Sequence, residues 1–223
     1  MDLFSAVDNY CERAGPGLLA EPLNLFSNIA YLIVAYIAHK RIRREGIQIQ
    51  GSLLVLLTLT YAVGPASATF HTFAQVWAMI VDITPIGLFF NFYFLFVLRT
   101  VYGFSVLKTL LGLGLFITVT VGFFLLVPND LANGSQMYLG GLLGAFVLAK
   151  VGTKYNFPEA NRFNHLGLLL FVALVFRTID SDVCSYLPTG THYIWHCSTA
   201  LVTWLAIDIA ISYFATQRTG EKI

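Results

Sequence analysis

Residues 191–214 read "THYIWHCSTALVTWLAIDIAISYF", a stretch that carries one acid, Asp208, and no base. A helix needs about 20 apolar residues to cross the roughly 30 Å hydrocarbon core of a bilayer, and in lipid its backbone must satisfy its own polar groups. This stretch meets both demands. Two imidazoles near its start stand out against that background. His192 and His196 are four residues apart, so they share one helix face with Cβ atoms about 5–6 Å apart. Ionisable groups inside a membrane are expensive and usually mark a site.

The rest of the chain has the same character. Of its 223 residues 57% are hydrophobic and 11% charged, with a mean hydropathy of +0.72, which describes an all-α, polytopic membrane protein. Six further apolar stretches precede the last one, at Leu23–Ala38, Leu53–Phe73, Val76–Leu98, Val106–Val127, Gln136–Ala149 and His165–Thr178. Seven spans is the reading, with six as the alternative, because the first, fifth and sixth are short or polar at one end. Span five carries Gly140 and Gly144, a small-xxx-small spacing that permits close helix packing. Connections are short and turn-rich, as in "VPNDLANGS", so residues 1–223 read as a single domain. The acidic start "MDLFSAVDNYCE" lacks the basic region of a signal peptide, and the first helix is expected to remain in the membrane.

Basic residues retained in cytoplasmic loops set the orientation. With the amino terminus outside, the inner side holds Lys40, Arg41, Arg43, Arg44, Arg99, Lys108, Lys150, Lys154, Arg162, Arg218 and Lys222, and the outer side holds Arg13 and Arg177. That bias favours an odd number of spans and a cytoplasmic carboxyl terminus. A net charge of +1 hides this asymmetry and says nothing about nucleic acid, which is not expected as a partner. Cys11 and Cys184 both fall outside, where an oxidising compartment lets them pair. Cys197 is expected to pack within the membrane, His39 and His165 to sit at the inner interface, and Asp208 to satisfy itself near the inner headgroups.

Sorting the remaining polar residues by depth brings several to one level. Ser67 and His71 of "GPASATFHTF" lie at the outer end of span two, Asp82 of "WAMIVDITPI" about 9 Å in on span three at 1.5 Å per residue, and His192 and His196 in the first turns of span seven. His71, His192 and His196 can thus offer three nitrogens to one ion, with a fourth position open, which is the catalytic zinc pattern. The alternative is that each histidine bonds a neighbouring backbone or hydroxyl group and packs helices. Glu12, Glu21, Asn24 and Asn28 form a polar stripe before and along span one. Arg177, Asp180 and Asp182 leave span six on the same side, as a solvated rim or as a cation or headgroup site.

Together "SATFH", the downstream aspartate and "HYIWH" on the last span resemble the CREST superfamily of seven-span membrane hydrolases. The terminal motifs "YCE", "NLFSN" and "DSDVC" look most like its alkaline ceramidase branch. The resemblance implies a zinc-dependent intramembrane amidase that cleaves the N-acyl bond of ceramide to a long-chain base and a fatty acid. It implies zinc on His71, His192 and His196, with Asp82 as proton carrier and Ser67 as oxyanion donor. It also implies calcium on the amino-terminal segment, where Glu12 and Glu21 match carboxylates and Asp8, Asn9 and Tyr10 lie alongside, and a bridge between Cys11 and Cys184. The substrate would be a lipid amide entering from the outer leaflet.

Other classes remain open at this stage. A zinc-containing receptor of the progestin and adiponectin receptor type would carry its site on the cytoplasmic side. A bis-histidine haem protein leaves Asp82 and Ser67 without work, and a proton-coupled transporter needs a relay to the inner side, where only Asp208 is available.

Overall fold

The computed structural model describes residues 2–219, apart from the side chains of Asp130, Leu131 and Thr219; Lys222, counted above with the inner charges, lies outside the described residues. The helices are α1 (Pro22–Ser27), α2 (Ile29–Arg44), α3 (Gly51–Phe73), α4 (Val76–Phe96), α5 (Val106–Leu126), α6 (Asn129–Ala132), α7 (Leu139–Lys154), α8 (Ala160–Thr178) and α9 (His192–Thr219). A π-helical turn, Val97–Val101, prolongs α4, and a 3₁₀ turn, Ser135–Tyr138, leads into α7. Among the described residues the only β pairing is an isolated bridge between Ala6 and Gln75.

Seven of these helices are long, and five stretches are long and apolar enough to cross a membrane: Pro22–Arg44, Gly51–Phe73, Val76–Val101, Val106–Leu126 and His192–Arg218. The other two fall short for physical reasons. α7 has 16 residues, about 24 Å of helix, and needs the preceding 3₁₀ turn to lengthen it. α8 begins with Asn161, Arg162, Asn164 and His165 and ends with Arg177, so polar groups occupy both ends. These are the expected fifth and sixth stretches, and the helices extend them to Lys154 and back to Ala160. The first stretch is a short helix and a long one, meeting at Asn28, whose side chain donates to the Asn24 carbonyl at 2.8 Å.

Which faces are covered follows from composition. Aromatic and branched residues including Phe96, Phe163, Leu170 and Ile207 fill the core, while α5 buries only Thr109 and Phe116. Its outward leucines are bare, Leu126 being 82% exposed, a surface that suits lipid rather than water. α5 packs closely on α7 because the latter carries glycine: a Cβ at Gly140 would collide with Thr120, and one at Gly144 would press on Phe116. Here the small-residue spacing serves packing. Cys197, by contrast, is exposed on the bundle surface, contrary to expectation, because it follows His196 on the helix and therefore faces away from the core.

Each end of the bundle has its own polar chemistry. At one end Asp208 of α9 is held by Arg41 of α2 and Arg162 of α8, and Glu159 pairs with Arg162 at 2.5 Å. Asp208 is thus satisfied by two guanidinium groups. At the opposite end the amino-terminal segment runs beside the α3–α4 turn, with Val7 N–H donating to Ala74 O at 2.8 Å and Trp77 N–H to Leu3 O at 3.0 Å. That segment covers the histidines.

Candidate metal centre

α3 brings His71 and α9 brings His192 and His196 to this covered end, where one ring nitrogen from each lies within 4.8 Å of the others. All three are buried. Hydrogen bonding orients two of them. His71 Nδ1 lies 2.6 Å from Glu21 Oε2. Burial alone would raise the Glu21 pKa, but hydrogen bonding and charge from His71, with bonds from Asn24 and Arg13, hold it below its ordinary value. The carboxylate is therefore ionised and Nδ1–H is the donor. His196 Nδ1 lies 2.8 Å from Ser27 Oγ. That hydroxyl already gives its proton to Asn24 O at 3.0 Å, so it accepts from the imidazole.

When each ring is neutral with its proton on Nδ1, the Nε2 atoms of His71 and His196 are lone pairs facing each other at 3.2 Å. Two imidazole lone pairs at that distance repel unless a cation lies between or beside them. His192 Nδ1, also buried, has no protein partner. Three neutral nitrogens converging in this way, two of them oriented by a carboxylate and a hydroxyl behind them, fit a borderline transition-metal ion such as zinc. The group can hold a metal ion.

Asp82 and Ser67 are beside the cluster and outside its ligand set. Asp82 has Ser67 and His71 as polar neighbours, and its Oδ1 is enclosed without a hydrogen-bond partner. Tyr10 of the amino-terminal segment stacks on His192 with 3.7 Å between ring centroids and 19° between planes. Burial lifts the Tyr10 phenol above its ordinary pKa against the pull of Arg177, so it stays protonated. Arg177 Nη1 donates to the Tyr10 hydroxyl at 3.1 Å.

The carboxylates matched to calcium are engaged elsewhere. Glu12 accepts Leu23 N–H at 2.6 Å and Asn24 N–H at 2.8 Å, completing the first turn of α1. Glu21, only 2% exposed, pairs with Arg13 Nε at 2.5 Å as well as with His71, while Asp8 and Asn9 are exposed. The Arg13 guanidinium also donates to His71 O at 3.1 Å and Gly15 O at 3.4 Å. It is a built-in cation against the carboxylate that a calcium ion would need, and among the described residues the three histidines are the only His, Cys, Asp or Glu group that can share an ion. These residues do not fit calcium. A calcium-selective chelator is expected to leave the thermal melting point unchanged, whereas a zinc chelator lowers it by removing a ligand of the folded state; a melting scan in each chelator checks both.

The acidic rim divides in two. Asp182 is exposed, but Asp180 is 0% exposed and its carboxylate is taken up by backbone donors. Its Oδ1 accepts Thr191 N–H at 2.6 Å and His192 N–H at 2.9 Å, and its Oδ2 accepts Cys11 N–H at 3.2 Å. It caps the first turn of α9. The disulfide Cys11–Cys184 forms beside it. Asn24 and Asn28 are buried as the stripe implies, and Asn24 Nδ2 donates to Glu21 at 3.1 Å. Ser27 and Arg13 were not singled out from sequence. Ser27 sits three residues after Asn24 in "NLFSN", a signal that could have placed it on the stripe; nothing local distinguishes Arg13.

An apolar cavity, open at its mouth, lies within the bundle, with Tyr138, Trp195, Phe90, Phe89, Phe163 and Ala206 among its walls. Trp195 precedes His196, and Ala206 lies eleven residues further along α9, about 16 Å away. No family model matches the chain, and a search of curated proteins finds no match either.

Proposed function

We propose that the protein is a seven-span, zinc-dependent membrane amidase that hydrolyses the N-acyl bond of ceramide or a related lipid amide, releasing a long-chain base and a fatty acid. The observation that carries the reading is the convergence of His71 and His196 Nε2 at 3.2 Å, with His192 in the same cluster. A zinc ion held there supplies Lewis acidity, which acidifies a water molecule and polarises a carbonyl. Asp82 takes a proton from the attacking water and delivers it to the departing amine, as base and then acid. Its enclosed, unpartnered Oδ1 leaves it free for that work. Ser67 donates a hydrogen bond to the oxygen on which negative charge develops, a contact worth roughly 3–4 kcal/mol in comparable sites.

The substrate class follows from the surroundings. An apolar cavity whose walls run about 16 Å down α9 suits an alkyl chain. The charge bias supports an amino terminus outside, with the site toward the periplasmic, luminal or extracellular side. The test is to incubate purified protein with a ceramide mixture, with and without a zinc chelator, and to follow the lipids by mass spectrometry. Chelator-sensitive release of long-chain base and fatty acid in equal amounts is the expected result. Absence of any such release from protein that retains its metal would overturn the reading.

A further inference from the structure

The end of the bundle remote from the histidines carries positive charge that the fold itself does not use. Ten described bases gather there against three acids, Glu45, Glu159 and Asp208. Arg41 and Arg162 take up Asp208 and Glu159. Glu45 is shared loosely by Arg41 at 3.7 Å and by Arg44 at 3.9 Å, the latter side chain being 78% exposed, and surface pairs of this kind are worth little. The side chains of Arg43, Lys108, Lys150 and Lys154 have no protein partner among the described residues.

Four of these bases stand on two stripes of one design. On α7, Leu143, Val147, Lys150 and Lys154 are all exposed, and on α2 so are Ile33, Ile37, Lys40 and Arg44. Both sets advance by four, three and four residues, which at 3.6 residues per turn keeps each within about 60° of helix surface and over about 16 Å of length. That length is close to the roughly 15 Å of hydrocarbon in one leaflet. Each stripe therefore shows an apolar pair toward the middle of the bilayer and a basic pair at its edge. Lys40 lies over the Tyr36 ring, 5.7 Å from its centroid, a basic and aromatic pairing suited to the membrane interface. Bases also favour helix C-termini through the macrodipole, which would account for α2 and α7 alone. It does not account for α5, which runs the other way and mirrors the order: Lys108 in its first turn, then Leu111 and Leu115, 65% and 66% exposed. Depth in the membrane is what the three helices have in common.

We propose that the α2 and α7 stripes bind anionic phospholipids of the leaflet remote from the metal centre, with the headgroup phosphate at the basic pair and an acyl chain along the apolar pair. Charge-assisted hydrogen bonds from lysine and arginine suit a phosphate, and a zwitterionic headgroup answers them with a cation of its own. The partner is a lipid and not a soluble anion because each basic pair ends an exposed apolar stripe. The charge bias supports a cytoplasmic setting for this end, and the cytoplasmic leaflet is the one rich in anionic lipid. Such lipids bind whether or not the protein hydrolyses amides.

The test uses the purified, metal-loaded full chain in detergent micelles holding equal amounts of phosphatidylglycerol and phosphatidylcholine with the same acyl chains. Lipid that stays with the protein through gel filtration is counted by mass spectrometry. Phosphatidylglycerol is expected to be retained over phosphatidylcholine by at least about tenfold, since each base near an anionic headgroup is worth about fivefold in affinity. Lys40→Gln/Arg44→Gln and Lys150→Gln/Lys154→Gln should each lower phosphatidylglycerol retention, and the four substitutions together should lower it about tenfold or more, with phosphatidylcholine unchanged. Equal retention of the two lipids by the wild type overturns the proposal, as does undiminished preference in the fourfold variant. Glycerol phosphate that displaces phosphatidylglycerol at equal concentration also overturns it and gives the bases to soluble anions. If the fourfold variant fails to fold, the wild type decides: salt screens exposed charges, so a preference that does not shrink between about 0.1 and 0.5 M salt overturns the proposal as well.

Discussion

Asp82→Asn is expected to keep its metal, at about one ion per chain, and to lose about 10²–10⁴-fold in lipid-amide turnover, the usual worth of a positioned proton carrier. The reason is geometric. Asp82 stands beside the three imidazoles, which converge without it, and an amide in its place is isosteric but cannot accept the proton of an attacking water. His196→Ala should behave differently, because it removes one of the two facing Nε2 atoms and leaves Ser27 Oγ without its donor. Metal and turnover are expected to disappear together in that variant. Elemental analysis beside product quantification separates the two outcomes. Loss of metal from Asp82→Asn would make the carboxylate a ligand, and full turnover in metal-free His196→Ala would end the zinc-dependent reading.

Asp180→Ala should be the most damaging change away from the imidazoles. Its carboxylate satisfies the backbone N–H groups of Thr191, His192 and Cys11, and buried donors left unmet cost about 1–3 kcal/mol each, so a loss of about 3 kcal/mol or more is expected. Metal should be lost as well, because the first turn of α9 is where His192 stands. The same site explains Gly190: its φ is +61°, and a Cβ there would strike the Asp180 carboxylate and press on Cys11 at 2.9 Å. Asp182→Ala, two residues on and exposed, should lie within about 0.5 kcal/mol of wild type. Melting in a fixed detergent, with metal content measured on the same samples, checks both. A shift in Asp180→Ala no larger than that in Asp182→Ala would remove the capping role.

The sequence carried the helices well wherever one long apolar run could be only one thing. Val106–Leu126 and the end of α3 at Phe73 fell within a residue of expectation, because their boundaries are set by Ser105, Pro128 and the turn at Ala74. The histidine pair was legible because a helix fixes the spacing of i and i+4, and His71 followed from depth alone. Contacts between distant segments were not legible. "DSD" gives no sign that its first acid is enclosed and its second is exposed, since that depends on where the backbone of α9 begins. Arg13 and Glu21 are eight residues apart across an irregular loop, so neither period nor propensity brings them together. The ion pair that turns Glu21 toward Arg13 instead of calcium was hidden for the same reason.

The amino-terminal segment also bears on how the protein is made. Tyr10, Cys11, Glu12 and Arg13 are consecutive, and they reach His192, Cys184, the start of α1 and Glu21 in turn. Two of these four partners lie in the last fifth of the chain. During synthesis this segment can dock early on α1 and the α3–α4 turn, but its stacking on His192 and its bridge to Cys184 wait until α9 is in place. A nascent chain halted before α9 owns one imidazole of three, so the three-nitrogen group exists only once the last helix is in place.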